Sequence, residues 1–112
     1  MRIPGADDAI ISREKIIQYL LNLDHPDGGS KAVVLEHAGF SSQRPEELEA
    51  ALRTQHLLLD AEQGKPSAFG RKYEIRGELR GPVDRVMVRS VWIVRHGESA
   101  PRLITLVPEK RK

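Results

Sequence analysis

Three stretches of this chain carry side chains whose types and spacing suit chemistry on an anion. The first is "KYEIRGELR", Lys72 to Arg80, followed by "RVMVRSVWIVR", Arg85 to Arg95. Both alternate apolar and polar residues, the period of a half-buried strand. The alternation puts Lys72, Glu74, Arg76 and Glu78 on one face and Tyr73, Ile75 and Leu79 on the other. In the second run Val86, Val88, Ser90, Trp92 and Val94 share a face; Arg85, Met87, Arg89, Val91, Ile93 and Arg95 take the opposite one. "GPVD", Gly81 to Asp84, reads as a hairpin turn, so Lys72, Arg76, Arg85 and Arg89 converge with Glu74 and Glu78 between them. Metal-free cleavage of RNA needs a base for the 2′-hydroxyl, an acid for the leaving oxygen and cations facing the phosphate. This face holds those residue types. The plainer alternative is a solvated face of cross-strand ion pairs, each worth at most about 1 kcal/mol.

The second stretch is "DHPDGGSK", Asp24 to Lys31, which brings glycine backbone, a Ser cap and Lys31 to the start of a helix. Free N–H groups and the helix dipole favour anions there. It lacks the Gly-Lys-Ser/Thr order and the preceding strand of a phosphate-binding P-loop, and an ordinary capped connection is the alternative. The third stretch, Arg95-His96-Gly97-Glu98-Ser99 after an apolar strand, is similar to the nucleophile loop of the histidine phosphatases. That fold needs a helix next and a second catalytic His, yet only 16 residues follow His96 and Pro101 stands where the helix should run. The phosphatase reading is therefore rejected, and "HGESAP" is a turn. His25, His37, His56 and His96 show no metal-ligand spacing, so no metal or other cofactor is expected. His37 and His56 read as surface or helix-end residues. Trp92 reads as core rather than a stacking platform, and Tyr73 as core with its hydroxyl at an edge.

Helices must position these residues from the N-terminal side. Ser12 is a candidate N-cap for "REKIIQYLLNL", where Ile16, Ile17, Leu20 and Leu21 recur at helical spacing. Ser30 is the cap expected for "KAVVLEHA", which stops at Gly39. Pro45, Glu46 and Glu47 suit the first turn of a third helix, with Leu48, Ala51, Leu52, Leu58 and Leu59 on its buried side. "EQGKPSAFG" breaks the helical period, and after the hairpin "RLITLVP" supplies a third strand. The expected fold is α+β: N-terminal helices packed on one face of a C-terminal antiparallel β-meander. One domain spans 1–112, helical over about 10–60 and sheet over about 69–108.

Composition narrows the function classes. Hydrophobic residues at 39% and charged residues at 30% suit a globular domain rather than a disordered chain. A net charge of +2, from 18 Lys+Arg against 16 Asp+Glu, is weak support for an anionic partner, so position must decide. The absence of Cys excludes disulfides and thiolate metal sites. "MRIPGADDAIIS" lacks the apolar run of a secretory signal, and no stretch reaches the roughly 18 apolar residues of a membrane span. A cytoplasmic protein with no membrane partner is expected.

The chain as a whole resembles a known bacterial family. "IPGADDAIISREKIIQYLLNLDHPDGGSKAVVLEHAGF" and "FGRKYEIRGELRGPVDRVMVRSVWIVRHGESAPRL" are similar to the two halves of the domain of unknown function 6883 family, over nearly all of residues 3–108. The resemblance places the family pattern on His25, Pro26, Gly28, Gly29 and Lys31. In the sheet it falls on Gly70, Lys72, Tyr73, Glu78, Gly81, Arg89, Trp92, Pro101, Arg102 and Thr105. Asp24 and Asp27 depart from it, and Asp27 weakens an anion site at that loop. Such domains occur as short stand-alone proteins and as C-terminal tips of polymorphic and contact-dependent toxins. The architecture implied is similar to that of the barnase, EndoU, colicin and RelE-type ribonuclease toxins, a likeness of fold that does not establish activity.

On that resemblance the expected function is a metal-independent ribonuclease toxin domain, or a stand-alone relative, acting on RNA or tRNA, in a target-cell cytoplasm if delivered. Lys31 and Arg89 would contact phosphate with Lys72 as a further cation, His25 or Glu78 would transfer the proton, and Tyr73 and Thr105 would orient the substrate. An immunity protein is the partner this implies. The competing expectation is a non-catalytic protein-interaction domain. In that case the hairpin charges neutralise one another and Lys31 and Arg89 lie apart.

Overall fold

The computed structural model describes residues 1–24 and 29–109. Four antiparallel strands form one sheet in the order β1 (Glu62–Pro66), β2 (Gly70–Arg80), β3 (Arg85–Arg95) and β4 (Arg102–Pro108). β2 and β3 pair without a break from Gly70 opposite Arg95 to Arg80 opposite Arg85, closed by the expected turn. β1 is a correction, since "EQGKPSAFG" suggests only a break. Gly64 and Pro66 are tolerated because β1 is an edge strand, and its register slips between Gln63 and Pro66. At the other edge Ile10 forms a parallel bridge with Arg102, and the Lys15 ammonium donates to the Ile104 carbonyl at 2.9 Å.

The helices lie against one face. Ser12 caps as expected, its hydroxyl accepting from the Lys15 amide at 3.2 Å to start α1 (Arg13–Lys15). α1 then runs into a π-helix over Ile16–Leu20, closed by the Leu21 amide donating to the Ile16 carbonyl at 2.8 Å. Bonds five residues apart let Ile16, Leu20 and Leu21 share the buried side. Ile17, expected there too, is exposed instead. α2 (Gly29–His37) ends at Gly39, whose φ of 102° only glycine adopts readily. The Ala38 carbonyl then accepts the Val83 and Asp84 amides at 3.0 and 3.2 Å, which docks the hairpin turn onto the end of α2. The expected Ser30 cap falls outside the described side chains.

α3 (Pro45–Thr54) begins at Pro45 and buries Leu48, Ala51 and Leu52. It stops earlier than its periodicity suggests. A 3-10 turn over His56–Leu58 follows and inverts the expected burial: His56 and Leu57 go inside, while Leu58 and Leu59 stay largely exposed.

His56 is thus a core residue and not a surface one. Its Nε2 donates to the Gly77 carbonyl at 3.3 Å, which leaves Nδ1 to accept from the Ser90 hydroxyl at 2.7 Å. The same oxygen accepts the Trp92 indole N–H at 2.8 Å. One chain of bonds therefore satisfies the imidazole, hydroxyl and indole that the turn and β3 bury here, and it fits Ile75, Leu79, Val88 and Leu106 around them. Burial pushes the His56 imidazole below its ordinary value of 6.5, so it stays neutral in the fold. The unfolded chain binds a proton below pH 6.5 that the folded chain refuses, so stability falls as pH drops through that value until the lowered folded pKa is reached. Urea unfolding followed by Trp92 fluorescence should show a lower midpoint at pH 5 than at pH 7.5. His56→Leu should be less stable by about 1–3 kcal/mol at pH 7.5 yet lose most of that pH dependence. An unchanged pH dependence would place its source elsewhere.

Candidate functional site

The helices leave the other face of the sheet open, and Arg89 stands near its middle. The register sets Arg76 and Val107 on either side of Arg89. One row along lie Glu74, Val91 and Thr105, with Glu62 beyond on β1. The next row holds Lys72, Ile93 and Arg102, and the opposite neighbour of the Arg89 row holds Glu78 and Met87. Strand alternation alone gathers these side chains.

Contacts refine that gathering. The Arg89 guanidinium meets the Glu74 carboxylate at 3.4 Å, and its Nε lies 3.8 Å from Glu109. Glu109 also faces Arg76 at 3.6 Å, while Glu78 pairs with Arg85 at 3.8 Å. The Glu109 amide donates to the Met87 carbonyl at 2.7 Å and so extends the ladder past Pro108. Two polar atoms in this group are shielded from water without a hydrogen bond: Arg89 Nε and Thr105 Oγ1. The aliphatic neighbours Val91 and Val107 stand between them. Lys72 is exposed and makes no ion pair among the described residues. Among those residues no group of three or more His, Asp and Glu side chains is placed to hold a metal ion.

The expected site residues therefore divide. Arg89, Thr105, Lys72 and Glu78 share the open face. Tyr73 does not; it is buried on the helical face, so it cannot orient a substrate beside Arg89. Lys31 is also separated from Arg89 by the sheet. It sits on α2, its ammonium donating to the Tyr19 hydroxyl at 3.3 Å and lying 5.4 Å from that ring's centroid. The joint loop-and-sheet site is not formed by these two cations. His25 lies outside the described residues. Two acids beside Arg89 escape sequence reasoning. Glu74 reads there only as a separating charge, although its parity with Arg89 is legible, and Glu109 lies past the end of the last expected strand.

Several positions of the family pattern are explained by packing. Gly70 adopts φ 151°, and a Cβ there would run into the Val94 carbonyl; at Gly81 it would meet the Ala38 carbonyl. Trp92 and Tyr73 fill the core, and Pro101 is buried before β4. Arg102 and Glu98 form a two-point ion pair at 3.0 and 3.1 Å across the β3–β4 connection, which lowers the Glu98 pKa. That connection is the Arg-His-Gly-Glu-Ser stretch, and its Glu98 amide closes a turn on the Arg95 carbonyl at 3.0 Å. Lys72, Glu78, Arg89 and Thr105 are not explained this way.

A family model described as Domain of unknown function (DUF6883) matches residues 2–110. The chain belongs to this family. No curated protein matches it. Among solved structures, a chain of the "Contact-dependent growth inhibition toxin - immunity protein complex from Klebsiella pneumoniae 342" superimposes with a TM-score of 0.60. The match covers 90% of this DUF6883 chain and 100% of that chain at 12% identity. The two share a fold, and the α+β architecture expected from the sequence, N-terminal helices on one face of an antiparallel sheet, is the one found. Among the described residues no helix of the DUF6883 domain is long and apolar enough to cross a membrane.

A buried hydroxyl without a partner weakens a fold, by about 1–3 kcal/mol in the less favourable cases. Thr105→Val keeps the shape and β-branching while removing that hydroxyl. Its urea unfolding midpoint, read by Trp92 fluorescence, should equal or exceed that of the parent. A loss near 1 kcal/mol would mean that the hydroxyl already has a partner in the free protein.

Proposed function

We propose that this domain is a toxin-type domain whose open sheet face binds and cleaves RNA without a metal, with Arg89, Glu74, Thr105 and Lys72 as its working residues. The observation that carries the reading is the pair of shielded, unbonded atoms, Arg89 Nε and Thr105 Oγ1, on the uncovered face beside a carboxylate. A phosphodiester supplies what each lacks: non-bridging oxygens for the guanidinium and an acceptor for the hydroxyl. Membership of DUF6883 and a fold shared with a chain of a toxin–immunity complex support a toxin-related role.

The chemistry follows from position. Arg89 holds the phosphate and offsets the charge that develops on it as O2′ attacks. Glu74, released from Arg89 by the incoming phosphate, takes the 2′-hydroxyl proton. The P–O5′ bond breaks, and the 5′-oxygen leaves with a proton returned from water. Lys72 stands one row further on and contacts the next phosphate. Half-exposed ion pairs of the Arg89–Glu74 kind contribute roughly 0–1 kcal/mol, so a bidentate phosphate displaces the carboxylate at small loss. Glu78, one row from Arg89 on its other side and paired with Arg85, is a second carboxylate for proton transfer. His25 keeps its expected role in the reading but lies outside the described residues. Localisation in a cytoplasm, native or invaded, follows from the substrate.

One observation favours a second reading, a protein-interaction domain without catalysis. The charges of the open face pair with one another, Arg89 with Glu74, Arg85 with Glu78 and Arg76 with Glu109, and Lys31 stands apart. Under that reading an immunity-type protein would cover the face.

Inducible expression in a bacterium, with total RNA examined over the first hour, separates the two. Wild type should arrest growth and cut RNA at discrete sites. Arg89→Ala and Glu74→Gln should lower cleavage at least about a hundredfold while remaining folded. Lys31→Ala, on the far side of the sheet, should cleave within severalfold of wild type. Intact RNA and healthy growth at high soluble expression would leave the interaction domain as the better account.

A further inference from the structure

A cavity of about 620 Å³ opens at the end of the sheet beyond Lys72, away from the shielded pair. Ile93 and Ile104 give it an apolar floor, and Lys15, Arg95 and Arg102 line it with no carboxylate among the lining residues. Phe69 stands at its mouth, 77% exposed. The backbone that carries this ring is held from both sides. The Ser67 hydroxyl accepts the Phe69 amide at 3.2 Å, and the Ser67 amide donates to the Gly70 carbonyl at 2.7 Å to close the turn. From the β3–β4 connection the His96 amide donates to the Phe69 carbonyl at 3.2 Å, and His96 Nε2 donates to the Ser67 carbonyl at 3.1 Å. Gly70 then drops into the φ that lets β2 start against Val94. The Arg-His-Gly-Glu-Ser stretch, which is no phosphatase loop, thus braces a presented aromatic ring.

The cations differ in freedom. Arg102 is committed to Glu98 and Lys15 to the Ile104 carbonyl, whereas Arg95 is exposed and has no ion pair within 4 Å among the described residues. A flat ring on a pinned turn, an apolar floor and an exposed guanidinium that acts on Glu98 only from beyond ion-pair distance suit a ligand that joins a π-face to a nearby negative charge. That is a nucleotide. From Arg89 to Ile93 is four strand residues, about 13 Å, which one or two nucleotides of a single strand bridge past Lys72.

We infer that this cavity is a base-recognition subsite for single-stranded RNA, with one base stacked on Phe69 and its phosphate on Arg95, upstream or downstream of the phosphate held by Arg89. The assignment rests on the RNA-cleaving reading of the open face for its biological sense, but its test does not depend on cleavage.

The test is fluorescence anisotropy of the full chain with a fluorescein-labelled single-stranded 2′-O-methyl RNA, which has no free 2′-hydroxyl and cannot be cut. Phe69→Ala should weaken binding about five- to a hundredfold without altering its salt dependence. Phe69→Trp should keep it. Arg95→Ala should weaken binding and reduce the slope of log affinity on log salt by about 0.7. Both positions are exposed, so the variants fold; Trp92 fluorescence checks it. Binding unchanged in Phe69→Ala and Arg95→Ala overturns the subsite and leaves the open-face reading intact. Binding that needs both, in a protein that never cuts RNA, upholds the subsite and removes the catalytic reading. No binding of the oligomer by wild type overturns the subsite whatever the cleavage assay gives.

Discussion

The uninterrupted pairing of β2 with β3 governs everything else in this domain. Eleven residue pairs in a single register decide which side chains meet the helices and which meet solvent. A slip of one residue that turned β3 over would put Arg89 into the core and bring Ser90 and Trp92 out of it. Three local features hold the register. At one end Gly70 lets β2 pass close to the Val94 carbonyl, and at the other Gly81 lets the hairpin turn reach the Ala38 carbonyl. Between them Ser90 can satisfy both His56 and Trp92 only when it faces inward. Each would be lost by a shift, and the buried imidazole and indole would then lack partners, which is costlier than losing an equivalent apolar contact.

That constraint explains which parts of the fold were legible in the sequence. Period-two alternation through Lys72–Arg80 and Arg85–Arg95 is a local signal with a buried face behind it, so the facing of each residue was readable. Caps at Ser12, Gly39 and Pro45 are likewise local. The misreadings are of the opposite kind. β1 contains Gly64 and Pro66, and only its place at the sheet edge makes them acceptable. The π-turn at Ile16–Leu20 and the burial of His56 answer to partners far away in sequence: a helix face that had to offer Leu21, and a hydroxyl at Ser90. Nothing near His56 in the chain announces Ser90. The better clue lay on the other side, in a Ser set among Val88 and Trp92 on an apolar face, which had to find a partner.

The candidate site was legible in its cations and less so in its acids. Arg89, Lys72 and Thr105 share a face by parity alone. Choosing between Glu74 and Glu78 needs the diagonal reach of a guanidinium across the strands, which parity does not give, and the contact falls to Glu74. Glu109 joins the site because the ladder continues beyond Pro108, where the missing N–H of a proline marks a natural strand end. Pattern and resemblance join Lys31 to Arg89; the sheet between them is a tertiary fact that neither carries.

The family pattern gains meaning once packing is subtracted from it. Glycines that prevent backbone collisions, an indole and a phenol in the core, and an arginine tied to Glu98 need no ligand to account for them. What remains of the sheet pattern is Lys72, Glu78, Arg89 and Thr105, on the face the helices leave bare, two of them with shielded polar atoms that have no hydrogen bond. Val107 and Val91 are the cross-strand partners of Arg89 and Thr105. On the proposed reading an arriving phosphate would bond both atoms, while the weak ion pair to Glu74 would keep the guanidinium in place until it comes. On that reading the same pairs that make the face look neutral at a distance would leave it open to a phosphate at contact range.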